Sequence, residues 1–111
     1  MAVRLEKPWL SLTAAGVEKL SGDLGVYQVA DGGGQVVYIG YAGGRSLWGL
    51  KGELREQLAE RGEGHSFRVE INHQYMSRWE ELLHVHASDH GTLPVGNEHH
   101  RPRRIGRLSP G

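Results

Sequence analysis

The chain has 111 residues, with 13 basic and 13 acidic side chains and a formal net charge of zero at pH 7. That length supports one domain with one modest core, and the lack of cysteine excludes a disulfide framework and thiolate metal ligation. The opening MAVRLEKPWL has no long apolar run, so neither a signal peptide nor a membrane span is expected and a cytoplasmic location is the default.

Charge is unevenly placed. Glu98–Gly111 sets Arg101, Arg103, Arg104 and Arg107 against one acid, a surplus of three positive charges that the first 97 residues balance with three negative ones. A nucleic-acid binder usually carries a basic face, and here the tail is the obvious one. Gly accounts for 17 of the 111 residues, about twice the usual share. The clusters Gly32–Gly34, Gly43–Gly44 and Gly49/Gly52 point to tight turns and close approaches.

In chain order, Pro8 and a cap at Ser11 or Thr13 introduce a short helix over Leu12–Leu20. Trp9, Leu12, Val17 and Leu20 are its packing residues. Two alternating segments follow, Gly25–Ala30 and Gln35–Gly40, joined by Asp31-Gly32-Gly33-Gly34. This is a hairpin pattern, with Tyr27 and Val29 opposed to Val26, Gln28 and Ala30. In the second segment Val36, Tyr38 and Gly40 oppose Val37 and Ile39. After the loop Tyr41–Arg45, Ser46 is placed to cap a helix over Leu47–Glu60. Its stripe is Leu47, Leu50, Leu54 and Leu58, with Lys51 and Arg55 on the shoulder and Glu53 in solvent. Phe67, Val69 and Ile71 alternate along a third strand, Ser66–Asn72. A last helix, Ser77–Asp89, turns Trp79, Leu82, Leu83 and Ala87 inward, and Leu93-Pro94 with Asn97 forms a closing turn. From Glu98 onward apolar periodicity is absent and a mobile basic tail is expected. The expected fold is α+β in the order α–β–β–α–β–α. A small three-stranded, mainly antiparallel sheet is flanked by helices in a single domain over residues 1–97.

This arrangement resembles the GIY-YIG endonuclease superfamily over about Leu24 to Asn97. Gly25-Val26-Tyr27 stands for the first motif with Val for Ile. Tyr38-Ile39-Gly40 is the second motif intact, and Leu-Pro-x-x-Asn closes the pattern. The resemblance implies a metal-dependent hydrolase of phosphodiester bonds in DNA. In it Tyr27 and Tyr38 handle and position the attacking water, one Mg²⁺ or Mn²⁺ sits on a helix glutamate, and Asn97 braces the site. That glutamate is Glu80 or Glu81. Trp79-Glu80-Glu81-Leu82-Leu83 fits the family spacing for Glu80. A single divalent cation can polarise the phosphate and offset charge on the leaving oxygen, while an arginine adds preorganised positive charge.

The sequence departs from that pattern in the middle helix. Glu53 falls where the family's arginine is expected and Gln57 where many members carry histidine. A carboxylate there repels phosphate, so the cation has to come from Arg45, Lys51 or Arg55. Lysine lacks arginine's bidentate fork. Two functions follow: a nuclease acting on nucleic acid, DNA in the first instance, or a catalytically degenerate nucleic-acid- or protein-binding module on the same fold. Further polar candidates for the cleft are Tyr41, His73, Tyr75 and Arg78. His86 and His90, four apart on one helix face, have metal-ligand spacing but no evident third ligand.

Overall fold

Alternation of β-branched and aromatic residues sets three of the strands, and a computed structural model describes residues 4–97 of the chain. The elements are β1 (Leu10–Ser11), α1 (Ala14–Glu18), β2 (Gly25–Ala30), β3 (Val36–Ala42), α2 (Gly49–Arg61), β4 (Ser66–Ile71), α3 (Tyr75–His90) and a 3-10 turn, Val95–Asn97. The class is α+β. The sheet is antiparallel and has four strands in the order β1-β4-β2-β3, where three were expected. The added strand is two residues long, with Leu10 opposite Phe67 and Ser11 opposite Ser66, too short to leave a periodic trace. The tail Glu98–Gly111 lies outside the described residues. Among those described, no helix is long and apolar enough to cross a membrane.

β2 is the axis of the sheet. It pairs with β3 on one side and β4 on the other, and all six of its residues are buried. Even Gln28 is enclosed, its amide oxygen accepting from Arg68 Nε at 2.8 Å. The hairpin turn is held by Asp31, whose Oδ1 accepts the N–H groups of Gly33 and Gln35 at 3.0 Å each, the local role for which aspartate is favoured in turns.

The β2–β3 ladder contains a bulge. Val29 faces Tyr38 and Ala30 faces Val36, which leaves Val37 as the extra residue. Strict alternation puts Val37 and Ile39 on one face. The bulge separates them, because an inserted residue resets the pleat on one side of it. Val37 joins Leu12, Val17, Tyr27, Val29, Leu50, Leu54 and Phe67 on the face covered by α1 and α2. Ile39 joins Leu5, Val26, Trp79, Leu82 and Leu83 on the face covered by α3. The sheet therefore has a core on each side.

α2 starts two residues later than its leucine stripe suggests. Trp48 adopts a left-handed backbone (φ 66°) and Gly49 follows with φ 58°. A side chain on Gly49 would stand 2.1 Å from the Gly22 carbonyl oxygen, so glycine is required there. The first turn of α2 is satisfied by the α1–β2 connection: Leu50 N donates to Asp23 O at 2.9 Å and Lys51 N to Ser21 O at 3.2 Å. Ser46 does not cap it. α1 is capped as expected, Thr13 Oγ1 accepting from Gly16 N at 3.0 Å.

Candidate functional site

The two motif tyrosines lie on the α2 face of the hairpin. Tyr27 is opposite Gly40 and Tyr38 opposite Val29, which brings the rings to 6.0 Å between centroids. Gly40 makes this possible. A Cβ there would stand 2.5 Å from the Tyr27 hydroxyl and 2.7 Å from Tyr38 Cε2. The glycine of the second motif is thus the space into which the tyrosine of the first one extends. Tyr27 is fully enclosed, while Tyr38 is half-buried.

The group that meets them is Glu53. Its Oε1 accepts from the Tyr27 hydroxyl at 3.2 Å and its Oε2 from Ser46 Oγ at 3.1 Å. Ser46 Oγ in turn accepts from Gly43 N at 3.0 Å, which ties the β3–α2 loop to the same network. Gln57 Nε2 makes a longer 3.5 Å contact with the Tyr27 oxygen, and Arg61 Nε holds Gln57 Oε1 at 2.7 Å. Burial pushes the Tyr27 phenol well above its ordinary range, with Tyr38 and Glu53 adding to the shift. Burial, then Glu53, raises Tyr38 as well. Glu53 itself is raised above its usual 4.5 by burial, against the opposing hydrogen bonds from Ser46 and Tyr27. A carboxyl group enclosed among hydroxyls prefers to hold its proton unless a cation comes near.

Glu53 was expected in solvent, and the phase of α2 explains the difference. Leu47 is 78 % exposed and lies outside the helix, so the buried face is set by Leu50, Leu54 and Gln57. At about 100° per residue, Glu53 then lies roughly 60° from Leu50, on the shoulder, and Lys51 and Arg55 fall on the opposite flank. There they face α1. Arg55 Nη2 is 2.8 Å and Lys51 Nζ 3.9 Å from the Glu18 carboxylate, beside a shallow pocket with Leu20 and Trp48. Neither approaches the tyrosines. Helix α2 is thus two-sided, with Glu53, Glu56 and Glu60 along one flank and Lys51 and Arg55 along the other.

Beyond the outer edge of β3 the site opens into a cleft of about 630 Å³. Tyr38, Gly40 and Tyr41 form its floor, Gly43–Leu47 and the α2 acids Glu53 and Glu56 one wall, and Tyr75, Met76 and Trp79 of α3 the other. Tyr41 stacks on Tyr75 at 5.6 Å and meets Trp79 edge-on at 5.1 Å. The Tyr75 hydroxyl accepts from Gly44 N at 3.1 Å. Of the three candidate cations, Arg45 is the one that lines the cleft. Sequence reasoning missed Arg61, whose guanidinium lies over the Tyr38 ring at 5.5 Å. Its signal was available: Arg61 follows Gln57 by four residues, on the same helical face.

Asn97 is enclosed (0 % exposed) and clasps the edge of β3, accepting from Ile39 N at 2.8 Å and donating to Ile39 O at 2.9 Å. Trp79 Nε1 donates to the same carbonyl at 2.9 Å. On α3, Glu81 is ion-paired with Arg78, which also grips Glu70 at 2.8 Å. Glu80 is half-buried directly after Trp79. His73 is exposed beyond β4. The His86 and His90 rings lie 4.4 Å apart and tilted by 34°; among the described residues no three His, Asp or Glu side chains gather as a metal-ligand group.

The carboxylates that line the cleft come from α2, Glu53 already has both oxygens engaged by hydroxyls, and Glu81 is held by Arg78. What the cleft offers is negative charge beside aromatic faces, the combination that receives a guanidinium or ammonium group.

A model of a family described as a domain of unknown function, DUF7508, matches residues 3–89. No curated protein and no solved structure matches the chain.

Proposed function

The chain belongs to the DUF7508 family, and from that premise we propose that its β3-edge cleft is a recognition site for a cationic protein segment, on a GIY-YIG-like fold whose hydrolytic chemistry has been lost. One observation carries this reading. The side chain facing the two tyrosines is the Glu53 carboxylate, hydrogen-bonded to Tyr27 and Ser46, at the helix position where the resemblance to GIY-YIG nucleases implies a phosphate-binding arginine.

The surroundings agree with it. Glu53 and Glu56 outnumber Arg45 in the cleft lining, and an incoming arginine finds the Tyr41, Tyr75 and Trp79 rings beside them. A cation beside Glu53 also relieves the cost of ionising a half-enclosed carboxyl group. A phosphate would increase that cost.

A metal-dependent nuclease is the second reading. It is favoured by Arg45 sharing the cleft with Tyr38. The assay that separates the two is incubation of the purified chain with single- and double-stranded DNA and RNA in Mg²⁺ or Mn²⁺. No cleavage is expected. Cleavage abolished by Tyr38→Phe and by Glu80→Ala would overturn the recognition reading and restore the nuclease.

A further inference from the structure

Away from the cleft, the end of α3 brings two histidines together. His86 and His90 are four residues apart on a helix that runs to His90, and their ring centroids lie 4.4 Å apart. At that spacing two imidazoles share one helix face and can reach a single metal ion.

The tautomer of His86 is set by its Nδ1, which lies 2.9 Å from the Thr92 carbonyl oxygen. A carbonyl only accepts, so in the neutral ring Nδ1 carries the proton and Nε2 keeps the lone pair. Metal-bound histidines are ordinarily held in this way, the nitrogen away from the metal donating to a carbonyl or a carboxylate. Burial lowers the His86 pKa from its ordinary value, which favours the neutral ring that a metal requires. Both imidazoles line a cavity of about 550 Å³ between the end of α3 and the β2–β3 turn, shared with Gln35 and Thr92. The negative end of the helix macrodipole also falls at His90, where Gly91 closes α3. The neighbouring Asp89 carboxylate is held by Arg4 at 2.6 and 2.9 Å, which leaves the two rings as the ligands the chain presents here.

We infer that His86, through Nε2, and His90 chelate one transition-metal ion of the Zn²⁺ class, with water from the cavity completing its coordination. Imidazole nitrogens suit Zn²⁺, Cu²⁺ and Ni²⁺, whereas Mg²⁺ is held by oxygen ligands. Through His86 the ion ties the last turns of α3 to the Thr92 segment, so it stabilises the folded chain by binding it. The site shares no lining residue with the acidic cleft, and its test is independent of what that cleft binds.

The test uses the full chain, stripped with EDTA and titrated calorimetrically with ZnCl₂ and, separately, with MgCl₂. One tight Zn²⁺ per chain is expected, and no response to Mg²⁺. Outer partners of a metal ligand alone contribute about 10–100-fold in affinity, so His86→Ala and His90→Ala are each expected to weaken Zn²⁺ binding by about tenfold or more. His90 is exposed, so its loss reports on ligation and not on folding. His73→Ala, on the exposed segment beyond β4, is expected to leave the affinity unchanged. Imidazole nitrogen NMR should show Zn²⁺ shifting His86 Nε2 while Nδ1 keeps its proton, and Zn²⁺ should raise the melting temperature of the unmodified chain but of neither ligand variant. Tight Zn²⁺ binding that survives both substitutions, or no Zn²⁺ binding at all, would overturn the site. One ion per two chains would overturn coordination completed by water within a single chain.

Discussion

Among single side chains, the closest fit in the molecule is between Gly40 and Tyr27, and the charge balance of the cleft depends on Glu53. The motif glycine closes an alternating strand segment in the sequence, and its backbone is ordinary strand; what it supplies is absence of a side chain where the Tyr27 ring crosses to β3. Gly40→Ala is therefore expected to displace Tyr27 from Glu53 and to cost about 1–3 kcal/mol, the range for overpacking a filled site. Urea denaturation measures this directly, and a change below about 0.5 kcal/mol would place it among neutral surface substitutions instead. The two tyrosines and Asn97 were legible from their motifs. Glu53 was legible as an anomaly in the sequence, but its partners were not, because the contact with Tyr27 spans 26 residues and depends on the rotation of α2.

Apart from β1, the strands and helices were found from periodicity, and their irregularities were not. Thr13 capping, the core strand β2 and the inward residues Trp79, Leu82 and Leu83 all follow local rules. The bulge at Val37 does not, since it shifts the phase of a strand without altering its composition. Nor does the start of α2, which is set by carbonyls of Asp23 and Ser21, 27 and 30 residues upstream of the amides they accept, rather than by Ser46. One consequence separates residues that looked equivalent in the leucine stripe. Leu54 is fully enclosed and Leu47 is exposed. Leu54→Ala is expected to lose about 2–5 kcal/mol, while Leu47→Ala stays within about 0.5 kcal/mol. Paired thermal melts test this; similar losses for both would mean that Leu47 packs in the core.

In the molecule as a whole, the sheet separates two cores, and its free edge at β3 is where α2, α3 and the Asn97 turn converge. The α+β class and the central hairpin could be read from the sequence; the fourth strand could not, because two residues carry no period. The cleft has a pH signature. Burial raises the Glu53 carboxyl above 4.5, so acidification neutralises it earlier than an exposed glutamate. Affinity for a cationic segment should then fall as pH drops through that raised value and recover above it. The most direct measurement is an NMR titration of the Glu53 side-chain carboxyl in the chain, without and with a saturating arginine-rich peptide. The account predicts a titration above the usual glutamate value in the free chain and a clear downward shift once the peptide is bound. A Glu53 titration that the bound peptide leaves unchanged would contradict it.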